Sequence, residues 1–133
     1  MNTNDSDGGG AKPLVDLDQL QSACDGDARL MRELMDLYFG QADEIMAGLG
    51  KAIQQNDVGE VDHLAHKLAG SCLACGMSAP VPALRQLEHN AKAGHLQGAP
   101  DSFAQAAAQL EAVRQYMRDY LLQNPPGEKQ HDA

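Results

Sequence analysis

Apolar residues recur at three- and four-residue spacing along four long stretches of this chain, and nowhere do they alternate convincingly with polar ones. That rhythm gathers side chains on one face of a helix, whereas a half-buried strand needs a two-residue repeat. A first long helix is predicted from about Asp27 to Gln54, with Leu30, Leu34, Leu37, Tyr38, Ile45 and Leu49 on its inner stripe. Gly48 lies on that stripe and permits close helix approach; Gly40 and Gly50 lie off it, each costing about 1 kcal/mol relative to alanine. Asn56 or Asp57 caps the second helix, with Glu60 placed for a capping box, and the helix ends near Gly76. Ser78 is the expected cap of a third helix, which tolerates Pro80 in its first turn, points Leu84, Leu87 and Ala91 inward and stops at Gly94. The fourth runs from about Asp101 to Leu122 and buries Phe103, Ala107, Leu110, Val113, Met117 and Leu121. A short helix over Leu14 to Cys24, held through Leu17 and Leu20, precedes them.

Four long amphipathic helices on short loops specify an all-α fold, an antiparallel four-helix bundle with the short N-terminal helix as a cover. The bundle should occupy residues 14–122, between a flexible leader over 1–13, which carries Gly8-Gly9-Gly10, and a flexible tail over 123–133. At 133 residues one domain is expected, and no internal repeat is visible.

Ten Lys plus Arg against nineteen Asp plus Glu give a net charge of −9. That balance argues against nucleic acid, whose binding rests on phosphate neutralisation, and against an anionic membrane surface. No apolar run approaches the roughly 18–20 residues that span a bilayer, and the polar N-terminus lacks an apolar signal segment. Three cysteines, an odd number set in helical stretches, do not suggest a disulfide framework. The expectation is a cytoplasmic monomer, with Met1 and the polar ends read as those of a free-standing module.

Within the second helix, Val61, Leu64, Leu68, Cys72 and Cys75 gather on one flank, roughly opposite His66. Around His66 lie Gly59, Asp62, Ala69, Gly70, Leu73 and Met77, which are mostly small or apolar. A solvated helix face normally carries long charged side chains, so an uncluttered imidazole points to an approaching molecule. On the third helix Arg85, Glu88 and Lys92 lie at i, i+3 and i+7 on the border of the buried stripe. They form either a solvated row of ion pairs or a row whose Glu88 leans over to accept a hydrogen bond from one ring nitrogen, freeing the other.

Other chemistry has less support. His63 and His66 share an i, i+3 spacing with Cys72 and Cys75, but the two pairs face opposite sides of one helix and cannot converge on a tetrahedral ion. The same geometry separates a Cys–His nucleophilic pair unless Cys24 or another helix supplies a partner. No phosphate-cradling glycine motif is present, so kinase or ATPase chemistry has no site. His89, His95 and His131 read as solvated helix, turn and tail residues.

The run His66-Lys67-Leu68-Ala69-Gly70-Ser71, followed by Gly76 and by Leu84, Leu87 and Glu88 on the next helix, resembles the histidine-containing phosphotransfer (HPt) domain family. The resemblance covers about residues 14–122. It implies a phosphorelay intermediate that takes a phosphoryl group from a receiver-domain aspartate onto His66 and passes it to another receiver aspartate. His66 would be the phosphoacceptor, Glu88 would orient the ring, and Gly70 would leave room for the phosphate. The family's usual lysine is replaced by Ala69; Lys67, Arg85 and Lys92 are the candidate substitutes. Mg²⁺ is expected on the partner receiver and no cofactor on this chain. His63, Ala69, Leu73, Met77, Arg85 and Lys92 are candidate partner contacts, with the apolar patch extended by Met35, Phe39 or Met46, unless the short N-terminal helix covers it. Two other functions stay open: an HPt-like module that docks on a receiver or kinase without accepting phosphate, and a metal or redox bundle.

Overall fold

A computed structural model describes residues 14–124. Among them are five helices and no strand: α1 (Leu17–Ala23), α2 (Ala28–Gln54), α3 (Val58–Ala74), α4 (Val81–Lys92) and α5 (Ala99–Gln123). Helices α2 to α5 close a ring in which each touches the next and α5 returns to α2. Side-chain contacts fix the directions: Tyr38 meets Cys72 and Gly48 meets Leu64 across α2 and α3, so these run antiparallel. His66 with Glu88 and Asp62 with Lys92 do the same for α3 and α4. The expected antiparallel bundle is the observed one. The leader over 1–13 and the tail beyond Asn124 lie outside the described residues.

Local chemistry sets most helix starts. Asp27 accepts hydrogen bonds from the Arg29 and Leu30 amides at 2.9 and 3.3 Å, and Asp57 accepts from Glu60 at 3.1 Å. Asp57 is therefore the cap of α3; Asn56 sits outside the helix with φ +56°. Ser78 does not cap α4. Its carbonyl takes the Val81 amide at 3.1 Å, and Pro82 in the first turn has no amide, which leaves little for a side-chain cap to satisfy. Helix α5 begins two residues earlier than expected, since Pro100 suits a first turn.

The core is rotated from the expected stripe on α2. Leu30 and Leu37 are 43% and 58% exposed, whereas Met31, Met35, Tyr38, Phe39, Ala42, Ile45 and Leu49 are buried. The reason is that α2 must satisfy α3 and α5 together: Tyr38 reaches Cys72, while Phe39 lies beneath the Arg114 guanidinium of α5, 4.7 Å from its ring centre. Met35 and Phe39 consequently offer no docking surface, and Met46 is half-buried. On α5, Ala106 takes the inner place expected of Ala107, and Phe103 sits half-buried at the edge facing Gly50. Gly48 behaves as expected: a Cβ there would lie 3.0 Å from Leu64 Cδ1.

Helix α1 covers one end of the bundle, with Leu20 and Cys24 buried beneath it. The segment of Asp16 and α1 also supplies donors to carbonyls at and just beyond the end of α3. The Asp16 amide donates to the Gly76 carbonyl at 2.7 Å, and Gln19 Nε2 donates to the Leu73 carbonyl at 2.7 Å. Gly76 makes this junction possible: its φ is +75°, and a Cβ there would come within 2.9 Å of the Asp16 carbonyl oxygen. Gly76→Ala should therefore lower unfolding stability by about 1–3 kcal/mol, read from urea midpoints. Gly70→Ala, where an added Cβ meets nothing within 4 Å, should instead be neutral or gain up to about 1 kcal/mol.

Candidate functional site

His66 stands on α3 with 68% of its side chain exposed, and its Nδ1 lies 2.7 Å from Glu88 Oε2 on α4. An ionised carboxylate only accepts, so Nδ1 carries the proton and donates it. The tautomer is then fixed, and Nε2 keeps its lone pair on the open side of the ring. Of the two alternatives left by the sequence, the buried one holds. Glu88 is only 8% exposed, set beside Leu84, Leu87 and Ala91 on the inner border of α4. On α3 the small residues Ala65 and Ala69, which flank His66 on its inner side, are both fully buried.

A buried carboxylate needs partners for both oxygens. Glu88 Oε1 accepts from Arg85 Nη1 at 3.0 Å, and Lys92 Nζ stands 3.7 Å from Oε2. Burial alone would push the Glu88 carboxyl up, but the hydrogen bonds and charges of His66 and Arg85 outweigh it and hold the carboxyl below its ordinary value. Lys92 donates to both oxygens of Asp62 at 3.0 and 3.3 Å, and that bond chiefly raises its ammonium above the usual lysine value. Asp62, noted in the sequence only as a neighbour of His66, thus ties α3 to α4 one turn below the imidazole. The i, i+4 spacing of Asp62 and His66 was the available signal.

The remaining expected site residues divide. His63, Lys67 and Gly70 are exposed on α3, Leu73 is 43% exposed, and Arg85 and Lys92 are exposed on α4. Ala69 and Met77 are fully buried and cannot touch a partner. Ala69 faces into the bundle. Met77 lies past the Cys75 cap, where the left-handed Gly76 turns the chain inward, so the helical spacing that placed it beside His66 no longer applies. Cys72 is fully buried with its Sγ 3.2 Å from Tyr38 Oη, and burial raises its thiol pKa, opposing thiolate chemistry. Among the described residues no three His, Cys, Asp or Glu side chains are grouped to hold a metal ion. His89 and His95 are exposed, and His131 lies outside the described residues.

The arrangement offers an accessible ring nitrogen whose opposite nitrogen is held by a buried carboxylate. Comparison with known proteins gives the family and the fold. The Hpt domain family model matches residues 33–116 of this chain. No curated protein matches it by sequence. Among solved structures, the crystal structure of histidine-containing phosphotransfer protein B (HptB) from Pseudomonas aeruginosa PAO1 matches with a TM-score of 0.78 and 24% identity, covering 85% of this chain and 98% of that one. That likeness concerns the fold.

The lowered Glu88 value has a consequence for acid stability. An ionised Glu88 stabilises the fold above the ordinary carboxylate range, and that contribution fades as acid passes through the depressed value. The wild-type chain should therefore lose stability relative to Glu88→Gln as the pH falls from the ordinary glutamate range, about pH 4–5, through the depressed value, measured as the difference in urea midpoints. An unchanged difference would contradict the depressed value.

Proposed function

This chain belongs to the Hpt domain family, and we propose that it works as a phosphorelay intermediate through His66. Histidine phosphotransfer is the family's function, and receiver domains of two-component systems are its partners. The observation that supports His66 as the acceptor is the 2.7 Å contact from its Nδ1 to the buried Glu88, on a ring otherwise open to solvent.

In this reading the Nε2 lone pair attacks the phosphorus of a receiver's aspartyl phosphate in line. The N–P bond forms as the P–O bond to the aspartate breaks, and the carboxylate leaves with the electron pair. Nδ1 keeps its proton and its hydrogen bond, so Glu88 stabilises the positive charge that develops on the ring. The reverse reaction, with a second receiver, passes the group on. The chain acts as a carrier without kinase or ATPase chemistry of its own, and Mg²⁺ belongs to the receiver's carboxylates. Gly70 leaves space beside the ring, and His63, Lys67, Leu73, Arg85 and Lys92 form the rim that meets the receiver. The protein works as a cytoplasmic monomer in this reading; among the described residues no helix is long and apolar enough to cross a membrane. No feature favours the phosphate-free docking module or the metal and redox bundle.

Incubation with a phosphorylated receiver, followed by detection of acid-labile phosphate, tests the proposal. His66→Gln should abolish labelling, and undiminished transfer by that variant would remove His66 from the reaction. Glu88→Ala should slow transfer by roughly tenfold or more while lowering receiver affinity far less, because it releases the ring and the Arg85 anchor but leaves the rest of the rim in place. Equal losses in binding and transfer would count against an orienting role.

A further inference from the structure

Phosphorylation of His66 poses an electrostatic problem that the hydrogen bond to Glu88 does not solve. The phosphoryl group brings about one and a half to two negative charges to a ring already held by one carboxylate. Asp62 adds another a turn away, in a chain whose net charge is −9. A cation must face the group, and Lys67, Arg85 and Lys92 are the candidates.

Their surroundings separate them. Lys92 is committed to Asp62, donating to both of its oxygens. Lys67 adjoins His66 in sequence but leaves α3 about 100° around the helix axis, toward a different sector. Arg85 touches Glu88 through one nitrogen, Nη1, with 44% of its side chain exposed. A guanidinium has five N–H donors in a planar fork and is always charged, so one bond to a carboxylate leaves donors free for a second anion. The carboxylate it holds is the one that holds the imidazole. Beside the ring, space is open where a Cβ on Gly70 would meet nothing within 4 Å.

Building on the relay reading, we propose that Arg85 is a catalytic residue of the transfer, bridging Glu88 and the phosphoryl oxygens carried on His66 Nε2. Arg85 exchanges no proton. The N–P bond forms, the P–O bond to the receiver aspartate breaks onto that carboxylate, Nδ1 retains its hydrogen, and the guanidinium offsets the charge brought to the ring. Anchored through Glu88, it is positioned before the receiver arrives.

The test uses the full chain with a phosphorylated receiver that labels the wild-type protein. Arg85→Gln should lower the rate of labelling roughly ten- to a hundredfold, the loss expected for a charge-assisted hydrogen bond, and Arg85→Lys should recover part of it by keeping the charge without the fork. Nitrogen-15 spectra of the unphosphorylated proteins distinguish direct contact from positioning: the His66 Nδ1–H signal should move less in Arg85→Gln than in Glu88→Gln. Wild-type rates in Arg85→Gln, or a larger loss in Lys67→Gln, would overturn the assignment. So would an Nδ1–H signal displaced in Arg85→Gln as far as in Glu88→Gln, since Arg85 would then act only through Glu88. Failure of the wild-type protein to gain phosphate on His66 would overturn the relay reading, and this assignment with it; the other outcomes leave that reading standing.

Discussion

Glu88 is the constraint around which this surface is organised. A carboxylate taken out of water is tolerated only when its oxygens find donors, and here one is taken by an imidazole and the other by a guanidinium. Because the acceptor cannot donate, it dictates which ring nitrogen bears hydrogen. Because it is buried against α3, it also dictates where the ring stands. Helix spacing, ring orientation and nucleophile exposure are thus one problem with one solution.

The molecule keeps its reactive groups apart by burial. The His66 imidazole is largely exposed, whereas Cys24 and Cys72 lie fully within the core. Cys72 shares a contact with Tyr38, and burial pushes both groups away from ionisation. The i, i+3 repetition of histidines and cysteines along one helix is a consequence of two faces with different duties: one fills the bundle, the other meets solvent.

What could be read from the sequence follows the range of the forces involved. The cap of α3 was legible to within Asn56 or Asp57, because a capping side chain and the amides it serves lie within three residues. Glu88 was legible as a partner for His66 because both sit on helix borders whose phase is set by strong leucine stripes. Leu30 and Leu37 misled, since the inner face of α2 depends on where α5 lies, and no local pattern reports that. Met77 was misplaced because helical spacing was carried across Gly76, where the backbone turns left-handed. The Asp62–Lys92 bridge spans thirty positions and required the register of α3 against α4. Ser78 failed as a cap for a different reason: prolines nearby had already removed the need.

The junction between α1 and α3 bears on where this domain begins. The family match starts at residue 33, well after the amide of Asp16 and the side chain of Gln19 have engaged the far end of the histidine helix. A fragment trimmed to the recognised boundaries would strip the Asp16 and Gln19 donors from those carbonyls and uncover the hollow filled by Leu20 and Cys24. The Leu73 side chain at the rim hangs from one of the carbonyls involved. The fold therefore draws on residues ahead of its family signature, and that extra length acts as a splint for the helix that carries His66.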